Sequence, residues 1–394
     1  MREFLANFQG MPLFKITNLR NLKSAKVFHR EIVKNLQTAK SAFIITLYFG
    51  NEQKTREVMA EIKTRQQKNM ETKVIIDYNR CKQNEKIFAL LKEYQIEDVV
   101  YYANRRSYSL LPNCIKELFS VLHVKVYIFD DLIILSGANL EDKYFTNRLD
   151  RYFSIYDAKL ADYLIKNVFE HFYGSKHVEG VKGRPKSDIG KHYMISANNV
   201  ARSVESLGLS NTYVVPYSES EELSVIENIF GHNFVEYYIS TAYINFPEIY
   251  LKHIKTKDTI IISPDASCNT FCGSSLLDKL VCKLYDYYMI NTENILDKAD
   301  LRTFYRKKAS FHFKGIWAFA EDFAITVIGS SNFNERSYRK DKELNFVLIT
   351  GDEQLIKQFE QEIRYLEKHS EKVNGDNKVN VFIKIIAYMM KYFL

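Results

Sequence analysis

Two hydrophobic periods alternate along the first half of the chain. Phe28, Ile32 and Leu36 keep the spacing of one helical face, and short runs rich in β-branched residues follow between polar stretches. The pattern predicts, in chain order, a helix from 28, a strand at 43–49, a helix at 52–68, a strand at 73–78, a helix at 87–94, strands at 99–102, 123–130 and 132–135, and a helix capped by Asp157. Alternating strands and helices predict an α/β layered domain.

The same order of elements returns after a polar stretch. Residues 175–211 are rich in lysine and lack periodicity, which predicts a linker or a surface excursion. A helix near 223–230, strands at 238–244 and 259–265 and a helix from 276 then repeat the first pattern. We therefore predict an α/β protein with two duplicated halves, 12–174 and 212–394, on either side of 175–211.

One polar pattern falls at the same place in both halves. In the strand at 123–130, His123 and Lys125 are two positions apart, so their side chains share one face. The end of the next strand supplies a serine and an asparagine. The pattern consists of His123, Lys125, Ser136 and Asn139 in the first half and of His312, Lys314, Ser330 and Asn332 in the second.

The spacing of the two copies supports a duplication. The histidines are 189 positions apart and the asparagines 193, and a carboxylate follows each asparagine by 11 positions, at Asp150 and at Glu343. Imidazole, ammonium and amide groups at one sheet edge suit phosphoryl chemistry, since they supply a nucleophile, fixed positive charge and hydrogen-bond donors. The duplicated pattern therefore predicts a phosphoryl-transfer site.

Composition narrows the class of protein. The 394 residues are 46% hydrophobic, enough for two domains with real cores, and the net charge of +7 favours an anionic partner without choosing among phosphates, acidic lipids and nucleic acid. Five sparse cysteines predict buried thiols in a reducing compartment rather than a disulfide framework or a metal site. No apolar run is long enough to span a membrane. The basic residues 1–30 leave a targeting presequence and a basic first segment both open.

With these motifs the chain resembles the phospholipase D superfamily, and within it the eukaryotic mitochondrial phosphatidylglycerophosphate synthases. The resemblance runs from about residue 12 to the C-terminus and is weakest in 175–211. It is carried by IILSGANL (133–140), YFTNRLDRY (144–152), FHFKGIW (311–317) and IGSSNF (328–333), with Arg336 and Ser337. It implies a duplicated phospholipase D-like fold, with two α-β-α halves related by pseudo-two-fold symmetry and the active site between them.

The resemblance also implies a reaction. The family transfers the phosphatidyl group of CDP-diacylglycerol to sn-glycerol 3-phosphate through a phosphohistidine and releases CMP, in phosphatidylglycerol and cardiolipin synthesis. His123 is the expected nucleophile and His312 the general acid and then base. Asp150 and Glu343 are expected to orient the imidazoles, while Lys125, Lys314, Asn139 and Asn332 surround the phosphorus with positive charge and donors. Neither a cofactor nor a metal is expected.

The implied setting is a mitochondrion or a related organelle. There the protein is expected to associate peripherally with the anionic inner membrane, without a transmembrane helix and without a nucleic-acid partner. The apolar stretch 381–394, with Lys384 and Lys391 seven positions apart, predicts either an interfacial helix or a final helix docked on the core.

Weaker candidates remain beside these. Ser136, Ser330, Arg148 and Arg336 are expected to bind substrate phosphates, although surface salt bridges are the alternative for the arginines. Asp130 keeps the acid of the superfamily pattern, but Phe319 stands at the equivalent position of the second half. The synthases also lack an acid there, so we expect Asp130 to be structural and to order its turn.

A phosphodiesterase of the same fold is the competing function. A lipid hydrolase or a nuclease would use water where the synthase uses glycerol 3-phosphate. The basic charge permits nucleic acid, but no motif of interleaved aromatic and basic residues is evident. Residues 144–152 and 311–317 favour the transferase.

Overall fold

The computed structural model describes residues 1–82, 85–96, 99–102, 120–173, 211–296, 298–373 and 380–393. These residues form two compact units. The N-terminal unit comprises Ile16–Ser196 and Lys340–Leu344, and the C-terminal unit comprises Met1–Lys15, Ala197–Arg339 and Asn345–Leu394.

The described residues of the two units form eighteen strands. In chain order they are β1 (Phe14–Lys15), β2 (Leu19–Asn21), β3 (Ser41–Thr46), β4 (Glu71–Asp77), β5 (Val99–Tyr102), β6 (Val126–Phe129), β7 (Leu132–Ser136), β8 (Arg148–Leu149), β9 (Tyr152–Tyr156), β10 (Thr212–Ser218), β11 (Glu236–Ser240), β12 (Thr259–Pro264), β13 (Asp300–Phe304), β14 (Ser310–Phe311), β15 (Gly315–Phe319), β16 (Ala324–Gly329), β17 (Leu344–Thr350) and β18 (Ser370–Lys372).

The described helices are, in chain order, α1 (Arg2–Ala6), α2 (Ala25–Thr38), α3 (Gln53–Gln67), α4 (Tyr78–Lys82), α5 (Glu85–Glu93), α6 (Ala158–Leu164), α7 (Glu170–Tyr173), α8 (Glu222–Gly231), α9 (Glu248–Ile254), α10 (Leu276–Ile295), α11 (Glu335–Arg339), α12 (Glu353–Lys368) and α13 (Val381–Met390). Helices α3, α4, α5, α9 and α10 connect parallel strands, and the other helices lie elsewhere along the chain. A 3₁₀ turn covers Asp142–Phe145, and a π-helical segment, Ile165–Phe169, joins α6 to α7. The predicted cap is confirmed, because the Asp157 carboxylate accepts a hydrogen bond from Leu160 N at 2.8 Å.

The two sheets share a central block of six strands in the same order, which confirms the predicted duplication. In the N-terminal unit the described order is β2-β9-β7-β6-β3-β4-β5, and in the C-terminal unit it is β1-β10-β17-β16-β15-β11-β12-β13-β18. Each contains three parallel strands, β3-β4-β5 or β11-β12-β13, followed on the other side by antiparallel strands, β6-β7-β9 or β15-β16-β17.

Each unit has its own apolar core. Phe28, Ile32 and Leu36 of α2 are buried against the N-terminal sheet, as the helical spacing predicts. In the C-terminal sheet Trp317 is fully buried and its indole N–H donates to Glu362 at 3.1 Å, so it belongs to the core. A buried indole needs such a partner.

Three predictions require correction. The first segment, 1–15, belongs to the C-terminal unit, because β1 pairs with β10, and residues 340–344 belong to the N-terminal unit. The strand predicted at 123–130 is β6 alone. Cys272 and Cys282 form a disulfide rather than thiols, since α10 brings their Cα atoms to 5.3 Å, whereas Cys81 and Cys268 are buried thiols. No described helix is long and apolar enough to cross a membrane.

Candidate functional site

His123 lies in a segment that is held from two sides, just before β6. Its N–H donates to Lys342 O at 2.9 Å, and Lys342 N donates to Val121 O at 2.9 Å, so the chain bonds here to 340–343 instead of to a sheet neighbour. This is why the strand begins only at Val126. On the other side the Asp77 carboxylate, fully buried at the end of β4, accepts from Leu122 N at 2.8 Å.

The pairing with 340–343 brings a carboxylate to the imidazole. Glu343 Oε2 lies 2.9 Å from His123 Nδ1, and Oε1 lies 3.0 Å from it. The Glu343 side chain is fully buried, whereas the imidazole is 12% exposed. A carboxylate only accepts hydrogen bonds, so it fixes the proton on Nδ1, and in this tautomer Nε2 carries the lone pair of the ring. Such an imidazole can act as a nucleophile.

Lys125 and Asn139 are buried beside this segment. The Lys125 ammonium donates to His123 O at 2.6 Å. The Asn139 amide oxygen accepts from Leu47 N at 3.3 Å and from the Thr46 hydroxyl at 3.4 Å. Both groups are therefore held by the backbone around β3 and β6, and the asparagine carbonyl is already used within the fold.

The remaining predicted residues of this unit have protein partners. Ser136 Oγ accepts from Ala138 N at 3.0 Å, which orders the loop after β7. Asp150 is buried and accepts from Arg151 N at 2.8 Å. The Arg148 guanidinium is 3.2 Å from Glu141 Oε2 and lies 4.5 Å above the Tyr144 ring. Arg148 thus has a carboxylate partner within the fold.

Glu141 also accepts from the Tyr48 hydroxyl at 2.6 Å. Burial and the negative charge of Glu141 raise the pKa of Tyr48 well above its ordinary value. The phenol therefore stays protonated at neutral pH and acts as a hydrogen-bond donor.

Asp130 occupies the turn between β6 and β7. Its carboxylate accepts from Lys40 N at 3.0 Å, from Ser41 N at 2.8 Å and from Ser41 Oγ at 3.0 Å. Burial alone would raise the pKa of Asp130, but these hydrogen bonds outweigh it and lower the pKa below the ordinary value. Its φ of 51° is left-handed, a conformation that Asp tolerates well.

In the C-terminal unit a lysine lies directly against the second histidine. Lys314 Nζ is 2.7 Å from His312 Nδ1, 3.3 Å from its Nε2 and 3.1 Å from its carbonyl oxygen, and both side chains are buried. An ammonium group only donates, so it bonds to a ring nitrogen that carries a lone pair. The Tyr243 ring stands edge-on to the imidazole at 6.2 Å, and its hydroxyl hydrogen-bonds Thr270.

Asn332 differs from its counterpart Asn139. Its backbone is fixed, because Asn332 N donates to Ser337 Oγ at 3.1 Å and Asn332 O accepts from Thr241 at 2.7 Å. Its amide oxygen is buried but accepts no hydrogen bond within the described structure. Ser330 is fully buried in the same loop. A buried acceptor without a donor suits a bound hydroxyl group.

Arg336 lies in α11, four positions after Asn332. Its Nη1 lies 3.5 Å from Phe393 O, close to the C-terminus. Neither Arg336 nor Arg148 thus presents a guanidinium without protein neighbours, and their substrate roles stay predictions.

Sequence reasoning missed three residues that position the site. Asp77 and Asp341 both accept from the segment before His123, Asp341 from Val121 N at 3.0 Å, and Tyr243 packs on His312. An acid at the end of a buried strand is a signal for Asp77, but nothing local marks Asp341 or Tyr243.

The predicted excursion at 175–211 lies outside the described residues apart from Asn211. The described part of the chain has no group of three His, Cys, Asp or Glu side chains placed to hold a metal ion.

Comparison with known proteins supports the resemblance seen in the motifs. Residues 32–172 match the family model described as cardiolipin synthase, PLD-like domain. This part of the chain is therefore similar to phospholipase D-like domains. It contains His123, Lys125, Asn139 and Asp150, and its counterpart in the C-terminal unit has the same strand order.

Relatives extend the likeness over nearly the whole chain. A probable CDP-diacylglycerol–glycerol-3-phosphate 3-phosphatidyltransferase of Dictyostelium discoideum is 27% identical over 97% of this chain and 79% of its own length. A CDP-diacylglycerol–serine O-phosphatidyltransferase of Haemophilus influenzae is 25% identical, with coverages of 92% and 89%. The human mitochondrial CDP-diacylglycerol–glycerol-3-phosphate 3-phosphatidyltransferase is 22% identical, with coverages of 97% and 84%.

A solved structure supports the fold. The crystal structure of phosphatidylserine synthase from Haemophilus influenzae superposes with a TM-score of 0.79 at 23% identity, covering 100% of this chain and 99% of that one. The phospholipase D-like architecture predicted from the motifs is therefore confirmed.

Proposed function

We propose that the protein is a CDP-diacylglycerol–glycerol-3-phosphate 3-phosphatidyltransferase. The relatives with this name match 97% of the chain. The observation that carries the proposal is the contact of the buried Glu343 with His123 Nδ1 at 2.9 Å, because it prepares Nε2 for attack on phosphorus. The duplicated His-x-Lys pattern supplies the second imidazole that a two-step transfer requires.

In the first step His123 Nε2 attacks the phosphatidyl phosphorus of CDP-diacylglycerol. The N–P bond forms, the P–O bond to CMP breaks, and the electron pair leaves with the CMP oxygen. Lys125, Lys314 and the two asparagine amides supply positive charge and donors for the transition state. Since the second pKa of a phosphate monoester is about 6, CMP needs little protonation to leave at neutral pH.

In the second step the glycerol hydroxyl displaces His123 from phosphorus. The new O–P bond forms, the N–P bond breaks and His312 takes the hydroxyl proton as general base. An alcohol is a poor nucleophile until it is deprotonated, so this step depends on a base more than the first does. The buried amide oxygen of Asn332 could accept a hydrogen bond from a hydroxyl of the acceptor substrate.

The finer assignments belong to the same proposal. Asp150, at the position that matches Glu343, would help to orient a catalytic imidazole, and Ser136, Ser330, Arg148 and Arg336 would contact substrate. Arg148 would have to share its guanidinium between Glu141 and a phosphate, which its bidentate fork permits. The substrate is a membrane lipid, and we infer peripheral association with an anionic inner mitochondrial membrane, in keeping with the mitochondrial relatives.

One assay tests the proposal against its competitors. Purified protein is given CDP-diacylglycerol in detergent micelles, with glycerol 3-phosphate, with serine or with neither, and CMP and the lipid product are followed. CMP release that depends on glycerol 3-phosphate and yields phosphatidylglycerophosphate supports the proposal. Phosphatidylserine formation would support the activity named for the Haemophilus relative. Release of CMP with phosphatidic acid alone would identify a hydrolase.

A further inference from the structure

Helix α13 presents two different apolar faces. Ile383 and Ala387 are buried against α10, whose Tyr288 hydroxyl donates to Ala387 O at 2.9 Å. The opposite face is apolar too, but it is exposed: Val381 69%, Phe382 64%, Ile385 54%, Tyr388 81% and Met389 61%. Docking on the core therefore leaves a second apolar stripe uncovered in the described structure. An exposed patch of this kind marks an interaction surface.

The end of α13 is bonded to residues near the loop that carries Asn332. Lys391 O accepts from Asn245 Nδ2 at 2.6 Å, and Lys391 Nζ lies 2.8 Å from Glu248 and 3.5 Å from Glu335. Glu335 and Arg336 start α11, three and four positions after Asn332. A surface bound to the exposed face of α13 would therefore lie near the loop that carries Asn332.

We propose that the exposed face of α13 is the surface that enters the headgroup region of an anionic lipid bilayer. The stretch 381–394 contains no acidic residue, and Lys384 is exposed beside the apolar stripe. Phe and Tyr with flanking lysine are the composition of interfacial helices. The inference rests on the proposed function, since a phosphatidyltransferase takes its substrate from a bilayer.

A second copy of the chain fits this surface less well. A helix of ten residues is about 15 Å long and about 10 Å wide. Its five exposed apolar side chains therefore offer less accessible surface than the roughly 800 Å² that each partner of a standard stable interface buries. A bilayer sets no such limit, because insertion depends on the apolar side chains and on nearby positive charge.

Vesicle flotation tests the proposal. The triple variant Phe382→Ser, Ile385→Ser, Tyr388→Ser should bind vesicles of phosphatidylcholine and phosphatidylglycerol about a hundredfold more weakly than the wild type. Lys384→Gln should lose about fivefold on these vesicles and nothing on phosphatidylcholine alone. The matched control Val235→Ser, Tyr305→Ser removes exposed apolar residues elsewhere in the same unit and should bind like the wild type.

Further readouts separate this surface from the proposed reaction. In detergent micelles the triple variant should keep wild-type turnover, and on vesicles it should lose turnover together with binding. If the wild-type protein floats with the vesicles but transfers no phosphatidyl group, the proposed membrane surface is supported and the proposed reaction is contradicted. A triple variant that floats like the wild type overturns the proposal, as does a wild-type dimer in sedimentation that this variant converts to a monomer.

Discussion

The two histidines occupy equivalent places in two similar sheets, yet their charged neighbours differ. A buried carboxylate, Glu343, contacts Nδ1 of His123, whereas the ammonium of Lys314 lies 2.7 Å from Nδ1 of His312. Their asparagines differ as well, since the amide oxygen of Asn139 is bonded to the backbone and that of Asn332 is not. Duplication has thus kept the positions of the groups while their hydrogen-bond partners have diverged.

Such divergence suits two different tasks. A carboxylate on one imidazole nitrogen prepares the other for attack, whereas a lysine that donates to a ring nitrogen occupies the lone pair of that ring and makes it the poorer nucleophile. We expect one histidine to carry the covalent intermediate and the other to move protons. Substitutions of the histidines and of their partners test this division of roles.

Replacing each histidine should give different failures. His123→Ala should form no phosphohistidine and should lose turnover by roughly 10⁴-fold or more. His312→Ala should lose turnover similarly but should still release one equivalent of CMP and trap the phosphatidyl group on His123, because CMP leaves without a strong acid. Peptide mapping of protein quenched after addition of labelled CDP-diacylglycerol measures both results.

The two variants serve as controls for each other, since both delete an imidazole from the same sequence context. A His312→Ala protein that forms no covalent intermediate would reject the division of labour. A label on His312 in the wild type would reverse it.

Glu343→Gln should lower turnover by roughly 10²–10⁴-fold, the range expected when the partner of a catalytic imidazole loses its charge. The amide can also donate to Nδ1, which would place the ring proton on Nε2 and remove the nucleophilic lone pair. The pH profile of the single-turnover rate should change with the variant, which a merely structural role would not produce.

Asp142→Asn is the matched control for this variant. Asp142 is also a buried carboxylate, but it accepts from Lys54 N and Thr55 N at the start of α3. Its replacement should reduce the free energy of unfolding and leave the pH profile unchanged. Wild-type turnover in Glu343→Gln would show that the contact is not needed for catalysis.

The asparagines should separate stability from activity. Asn139→Ala leaves the buried Leu47 N–H without its acceptor and should lower the free energy of unfolding by about 1–2 kcal/mol. Asn332→Ala removes an oxygen without a donor and should leave the free energy of unfolding unchanged or slightly higher. Both should slow the transfer. Urea unfolding and turnover measured on the same preparations test this, and equal losses of stability would contradict it.

Local pattern predicted the elements and the repeated motif, because both depend on residues near in sequence. Helix α2 and the strands β3 to β5 follow from periodicity, and both His-x-Lys pairs follow from spacing. The partner of His123 could not be assigned in this way. Glu343 is 220 positions away, and its segment joins the N-terminal unit through backbone bonds that carry no sequence signal.

Arg148 and the cysteines Cys272 and Cys282 also have partners that the sequence pattern did not indicate. Arg148 is predicted to bind a phosphate or to form a salt bridge, and its carboxylate partner, Glu141, becomes apparent only in the folded loop. The disulfide depends on where α10 begins relative to the preceding loop, which residue counts do not specify. The pairing of side chains therefore cannot be predicted from residue type alone.

The smallest expected effect concerns Asp130 and Phe319, which stand at equivalent positions after the two His-x-Lys pairs but differ in chemical class. Asn at position 130 also accepts a positive φ, but Asp130→Asn removes the charge to which Lys40 N and Ser41 donate. The variant should lower the free energy of unfolding by about 1 kcal/mol at neutral pH.

The pKa of Asp130 is lowered on folding. The contribution of its charge to stability is therefore complete above the ordinary value of 3.8 and disappears as the pH falls through the lower folded value. The stability difference between wild type and variant should therefore be constant from pH 7 to about pH 5 and shrink below pH 4. Phe319→Leu, at the end of β15 in the other half, is the control, since an apolar residue that packs on Tyr238 should show a difference without this pH dependence. Urea unfolding across this range measures both, and a difference for Asp130→Asn that stays constant to acid pH would show that its charge does not hold the turn.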